Sequence, residues 1–219
     1  MNIVIPRKDF VIIEDFFRPE EASAWVESIL KKGDDPVRGF HHPDLRPNRF
    51  HQQPKYPVKK YMCFGFYWNP LDYAYYPKLP GTEVSPFPIL SDLKLLVQQV
   101  LLDHYQWTRF SPESVLVNYY TDDSSMGIHV DKDEEDQISP VVGLSFGSAC
   151  RFLYEDEAGD IKDYRLPGNS LYIFGRSARR MRHGVGTLYS QSLAPGSEGY
   201  LKNKERMSLT IRQIFNGPI

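Results

Sequence analysis

A chain of 219 residues, 41% hydrophobic and 25% charged, has the make-up of a globular protein with a sizeable core and no long disordered tract. A formal net charge of −2 and a pI near 6.3 exclude a strongly basic protein that wraps long nucleic acid by bulk attraction, so any nucleic-acid contact has to be a local patch. Cys63 and Cys150, the two cysteines, give neither zinc-ligand spacing nor a disulfide framework and are expected to be buried thiols in a reducing compartment.

In chain order, residues 9–17 (DFVIIEDFF) predict a short strand. Arg18-Pro19-Glu20-Glu21 then opens a helix that Gly33 ends, with Pro in the first turn, Glu early and Lys late. Residues 34–90, dense in Pro, Tyr, His and Arg, predict long loops broken by one strand around Tyr61 to Trp68. A second helix is expected over Pro88 to Tyr105, turning Ile89, Leu93, Leu96, Val97, Val100 and Leu101 toward the core. From 113 the runs SVLVNYY, PVVGLSFG, CRFLYE, KDYRL, NSLYIFG and RMSLTIRQI read as short strands punctuated by Gly, Asp and Pro, the texture of a sandwich or jelly roll. No run approaches the ~20 apolar residues of a membrane helix, so the expected setting is cytoplasmic, with the nucleus as the eukaryotic alternative, and no membrane partner is expected.

Three features carry chemistry. His129-Val130-Asp131 follows the turn-rich Thr121-Asp122-Asp123-Ser124-Ser125, and in extended chain an imidazole and a carboxylate two residues apart share a face. His183, after the strand around Ser170 to Gly175 and its turn, completes two histidines and one carboxylate, the facial triad that leaves three positions open on iron(II). In Arg206-Met207-Ser208-Leu209-Thr210-Ile211-Arg212 the two arginines project to one side of a strand. Facing inward they need anions, and a dicarboxylate such as 2-oxoglutarate supplies two; facing outward they are two solvated cations on an edge strand.

At this point the residues resemble a known family. Asn118-Tyr119-Tyr120, then His129-Val130-Asp131-Lys132-Asp133-Glu134, Pro140 to Gly147, His183-Gly184-Val185 and Arg206 to Arg212 are similar, in order and spacing, to the AlkB family of 2-oxoglutarate oxygenases. The weaker stretch Gly65-Phe66-Tyr67-Trp68-Asn69-Pro70-Leu71-Asp72 resembles that family's nucleotide-recognition lid. The resemblance implies an α+β, mainly β fold: a double-stranded β-helix (jelly roll) core with N-terminal helices and a lid. One domain spans 1–219, with 1–112 as N-terminal extension and substrate lid and 113–219 as the catalytic core.

By the same resemblance His129, Asp131 and His183 ligate iron(II), and Asn118, Tyr120 and Arg206 hold the far carboxylate of 2-oxoglutarate. Arg212 lies at the end nearer the metal. Ser208 stands where repair members carry Asn, which shortens a cosubstrate contact. Asp133 would meet the exocyclic amine of a damaged base. The reaction implied is oxidation of an N-methyl group by O2 and 2-oxoglutarate, releasing formaldehyde, succinate and carbon dioxide. The expected partner is alkylated DNA, with RNA as the alternative, and the expected state is a monomer.

A base taken out of its stack needs aromatic walls, for which Phe66, Tyr67 and Trp68 are the candidates and Phe66 aligns best with the lid aromatic. Two basic clusters offer phosphate contacts: Arg46, Arg49, Lys55, Lys59 and Lys60, and then Arg176, Arg179, Arg180 and Arg182. His41, His42, His51 and His104 are assigned to loop or helix surfaces, Asp122 and Asp123 to turns, and Glu134, Glu135 and Asp136 to a solvated acidic loop. Competing readings are an oxygenase acting on a protein or small metabolite, and a non-catalytic jelly-roll binding module.

Overall fold

Residues 1–43 and 58–216 are described by a computed structural model of the chain. Arg46, Arg49, Lys55 and His51 lie outside the described residues. β1 (Asn2–Arg7) and β2 (Phe10–Glu14) form a hairpin, so the predicted first strand stops short of Phe17 and gains a partner that precedes it. Helix α1 (Pro19–Gly33) follows; the Glu21 carboxylate accepts the Arg18 backbone N–H at 3.0 Å at its start, and Ala22, Val26 and Ile29 form its buried stripe.

The strand predicted over Tyr61 to Trp68 is two. β3 (Lys60–Gly65) joins the main sheet, while β4 (Tyr67–Asn69) leaves it to pair with β5 (Ala74–Tyr76) as a separate hairpin. Gly65 makes the break: its φ is +75, and a Cβ there would lie 2.1 Å from the Glu113 carbonyl oxygen. Helix α2 (Ser91–Tyr105) then buries Leu93, Val97, Val100, Leu101 and Tyr105, with Ile89 buried just ahead of it. Full burial of side chains such as Ile29 and Val97 contributes roughly 2 kcal/mol each.

The rest is sheet: β6 (Ser114–Tyr120), β7 (Met126–His129), β8 (Val141–Glu155), β9 (Ile161–Leu166), β10 (Ser170–Phe174), β11 (His183–Leu193) and β12 (Arg206–Arg212). The main layer runs β1-β2-β10-β8-β12-β6-β3. β8 is long enough to serve two layers. Its first half pairs with β10 and β12, its second with β9 and β11, and β7 completes the smaller layer by pairing with β11. The strand turns between the two at Gly147, where φ is +88 and a Cβ would sit 2.5 Å from the Glu205 carbonyl oxygen.

Alternation along β6 and β12 sorts side chains between two cores. Val115, Val117, Tyr119, Met207, Leu209 and Ile211 point to the face covered by α1 and α2. Leu116, Asn118, Tyr120, Ser208, Thr210 and Arg212 point the other way and line the cavity between the layers. This is the expected jelly roll, mainly β with helices on one face. Both cysteines are buried thiols.

Candidate metal and cosubstrate site

His129 closes β7 and His183 opens β11, and the two are register partners across the antiparallel pair. Opposed positions bring side chains together, and the imidazole centroids are 4.5 Å apart. Asp131, two residues past His129, turns Oδ1 toward both rings, 3.5 Å from His129 Nε2 and 4.0 Å from His183 Nε2. The three ligand atoms all lie within 4.8 Å of one another. Each Nδ1 is engaged with a backbone carbonyl, His129 with Gly127 at 2.8 Å and His183 with Met181 at 3.1 Å. That engagement fixes the tautomer and leaves both Nε2 lone pairs for a metal.

The electrostatics suit a cation. Burial pulls the His183 imidazole down to about 4, against the opposing pull of Asp131, so it is a neutral ligand at ordinary pH. At His129 burial is outweighed by the hydrogen bond and charge of Asp131, which raise it. Asp131 resists a strong burial penalty because Arg212, His129 and His183 hold its carboxyl well below the usual carboxylate range.

Arg212 therefore has its anions inside the chain, which corrects the expectation that a dicarboxylate pairs with both arginines of the strand. Its guanidinium grips Asp131 Oδ2 at 2.7 Å through Nη2 and reaches Glu134 Oε1 at 3.1 Å through Nε. Pinning Oδ2 is what leaves Oδ1 facing the histidines. Glu134 in turn accepts from Arg179 Nη2 at 3.1 Å and from the Tyr75 hydroxyl at 2.7 Å. Glu134 and Asp136 are thus buried members of the site's frame, Asp136 accepting the backbone N–H of Ile138 and Ser139, and not part of a solvated acidic loop.

Arg179 is likewise not a phosphate contact. Only 3% exposed, it donates to the carbonyl oxygens of Asp131 (2.7 Å), Ser139 (2.9 Å) and Asp136 (3.2 Å), tying down the loop that carries the ligand. Arg179→Ala is expected to weaken folding by roughly 3 kcal/mol, because three buried carbonyl oxygens and Glu134 Oε2 lose their donor while Glu134 keeps only Arg212 and Tyr75, and to lower metal affinity although Arg179 touches no ligand atom; urea unfolding and metal titration check this. Of the same cluster, Arg176 donates to Tyr105 O and Arg182 pairs with Glu155, whereas exposed Arg180 lines the cavity. In the other cluster Lys59 pairs with Asp123 at 3.8 Å and Lys60 lies over the Phe40 and Tyr119 rings.

Arg206 is the opposite case from Arg212. It is 1% exposed, and its partners are neutral: Nη1 donates to Ser148 O at 2.8 Å and Nη2 to Ser145 Oγ at 2.6 Å. Nε is buried with no partner, and no carboxylate among the described residues pairs with the group. A buried guanidinium with an orphaned donor calls for an anion from outside. Asn118, Tyr120 and Ser208, register neighbours on β6 and β12, stand on the same inward face. The residues present therefore fit both Fe(II), at two imidazoles and a carboxylate, and an acidic cosubstrate anchored at Arg206.

The cavity is about 940 Å³, ample for cosubstrate and a nucleobase together, and the β4–β5 hairpin forms one wall through Trp68, Leu71, Tyr73 and Tyr75. Trp68 Nε1 donates to Asp133 Oδ2 at 3.0 Å. Burial raises the Asp133 carboxyl against that hydrogen bond. Phe66 is not brought to the cavity: its ring packs edge-on against Phe215, centroids 5.0 Å apart. Tyr67 is a core residue, its hydroxyl 2.7 Å from that of Tyr61. Tyr75 and Lys132 are cavity residues to which the sequence reading gave no role, and Arg180, of the second basic cluster, joins them there. The turn run Asn69-Pro70-Leu71-Asp72 between aromatic flanks was the available signal for a hairpin placing Tyr75 opposite Trp68.

A jelly roll whose interlayer cavity holds two histidines and a carboxylate, with a buried arginine that lacks a carboxylate partner among the described residues on the strand that lines it, defines an Fe(II)- and 2-oxoglutarate-type oxygenase site. The sequence profile of the 2OG-Fe(II) oxygenase superfamily matches residues 9–212. The DNA N(6)-methyladenine demethylase ALKBH1D of Arabidopsis thaliana is 28% identical over 236 residues, covering 95% of this chain and 50% of that protein. The tRNA demethylase abh1 of Schizosaccharomyces pombe is 27% identical over 156 residues, covering 67% of this chain and 49% of its own length. The solved structure of OsALKBH1 matches with a TM-score of 0.82 at 25% identity, covering 97% of this chain and 100% of that one. The chain spans about half the length of these curated relatives. It belongs to the 2OG-Fe(II) oxygenase superfamily and, within it, to the AlkB family.

Proposed function

We propose that the protein oxidatively demethylates N-alkylated nucleobases in nucleic acid, with 1-methyladenine and 3-methylcytosine in DNA as first substrates and RNA as the second. The observation that carries this reading is Asp133, whose Oδ2 is engaged by Trp68 while Oδ1 is left to accept a hydrogen bond. An acceptor beside the triad suits an exocyclic amine, and an adjoining indole suits the face of a base. Relatives described as acting on DNA N(6)-methyladenine and on tRNA support the same substrate class.

When bound, Fe(II), 2-oxoglutarate and O2 supply the oxidation of the methyl C–H bond. The chain's own part is placement. His129, Asp131 and His183 would hold the metal and so fix where oxidation occurs, Arg206 with Asn118, Tyr120 and Ser208 would hold a carboxylate of the cosubstrate, and Trp68 with Asp133 would orient the base so that its N-methyl group faces the triad. The hydroxymethyl product then loses formaldehyde to leave the unmodified base.

Trp68→Ala is expected to weaken binding of an alkylated oligonucleotide about 10-fold, whereas Phe66→Ala leaves it within 2-fold, since Phe66 faces Phe215. Fluorescence anisotropy checks both. The function itself is tested by formaldehyde release from DNA and RNA oligonucleotides carrying 1-methyladenine, 3-methylcytosine or N(6)-methyladenine. Succinate formed without formaldehyde from any of them would send the reaction to a protein or small metabolite.

A further inference from the structure

Three tyrosines follow one another closely at the hairpin, and two have structural tasks: Tyr75 donates its hydroxyl to Glu134 and Tyr76 donates to Asp72. Tyr73 has none of that kind. The residue is 62% exposed, its hydroxyl makes no hydrogen bond among the described residues, and it lines the cavity. It stands edge-on to Trp68, with centroids 6.0 Å apart and planes at 65°. Its backbone is left-handed, φ 59, at a loop position closed by its N–H donating to Asn69 O at 2.9 Å. Glycine or asparagine suits that conformation, and a bulky aromatic ring does not. The hairpin thus holds, on a left-handed backbone position, a solvent-facing ring beside the residue that walls the base site.

The mouth around it is apolar. Leu71 is 58% exposed on the same hairpin and Ile128 47% exposed on β7, and both line the cavity. Lys132 and Arg180 are exposed cavity residues with no ion pair among the described residues. Two cations suit the phosphates on either side of one nucleotide, not the long track of a duplex.

We propose that Tyr73 is a second stacking surface, which receives the base next to the target in a single strand and so sets a requirement for a neighbouring nucleotide. This rests on the reading of the cavity as a nucleobase site. The target base lies by Trp68 and Asp133, and its strand neighbour leaves through the mouth against the Tyr73 ring. The recognition tolerates any sequence, because every base offers a flat face.

The test uses protein loaded with metal and 2-oxoglutarate, without oxygen, and fluorescein-labelled pentanucleotides with a central 1-methyladenine. The base on the 5′ or the 3′ side is either adenine or replaced by an abasic residue. Wild type is expected to lose about 10-fold in affinity when one of the two neighbours is abasic. Tyr73→Asn, which suits the left-handed backbone and preserves the hairpin, is expected to bind the intact oligonucleotide about 10-fold more weakly and to make no distinction between neighbours. A wild type indifferent to abasic neighbours, or a variant with the same penalty as wild type, overturns the proposal. Oxygen is then admitted to the same samples. Neighbour-dependent binding without formaldehyde keeps the stacking role and removes demethylation, while formaldehyde without neighbour dependence does the reverse.

Discussion

Asp131→Ala is expected to lower stability by roughly 3 kcal/mol and to abolish metal binding, two effects that His129→Ala separates. The stability loss arises at Arg212, whose guanidinium is buried and loses the carboxylate it grips at 2.7 Å, keeping only Glu134. A loss of that size in a chain of this length moves the thermal midpoint by roughly 6–12 °C. The His129 side chain is 37% exposed and bears no such load, so His129→Ala should unfold within about 1 kcal/mol of wild type while also failing to bind metal. Calorimetry of metal-free protein, with iron titration on the same preparations, checks the pair. Equal midpoints for the two variants would mean that the Arg212–Asp131 bond is not a structural element.

Arg206→Met is expected to leave the metal-free fold within about 1 kcal/mol of wild type, since it removes a buried charge that has no carboxylate partner as well as its hydrogen bonds to Ser148 and Ser145. Its effect on 2-oxoglutarate is expected to be large, a loss of about 100-fold in affinity, the worth of a charge-assisted pair of roughly 2–3 kcal/mol. Wild type with metal should therefore gain thermal stability as 2-oxoglutarate is added, and the variant should gain almost none. A variant that retains the full thermal gain would place the cosubstrate's carboxylate elsewhere.

The contrast between these arginines shows how far the sequence could be read. Period-two alternation in RMSLTIR was enough to put Arg206 and Arg212 on one face, because alternation is a local property of strands, whereas Asn118, Tyr120 and Ser208 came from the family resemblance and it is the β6–β12 register that sets them on that face. Which of two inward arginines already has an anion was not local. It depends on Glu134 and Asp131 arriving from a different segment, and Lys132-Asp133-Glu134-Glu135-Asp136 read alone has the charge of a surface loop. Arg179 misled for the same reason, since a run of four arginines between 176 and 182 looks solvated until the loop it fastens is seen packed on it.

Strand β11 was missed because HGVGTLYSQSL, with two glycines and few branched residues, has weak strand propensity; pairing with β8 and β7 forms it. Yet that strand is what sets His183 opposite His129. The exchange of Phe66 for Trp68 as the cavity aromatic follows from the break at Gly65, which divides an apparently continuous aromatic strand and turns its second half into the hairpin. Tyr73 illustrates the remaining limit, in that nothing in Leu71-Asp72-Tyr73-Ala74 announces a left-handed tyrosine.

The most direct test of the whole account is anaerobic titration of wild type and His129→Ala with iron(II) and 2-oxoglutarate, watching for the weak visible charge-transfer band of a chelated 2-oxo acid. The account predicts the band in wild type and its loss in the variant, whose fold stays intact; no band in wild type, or an undiminished band in His129→Ala, would contradict it.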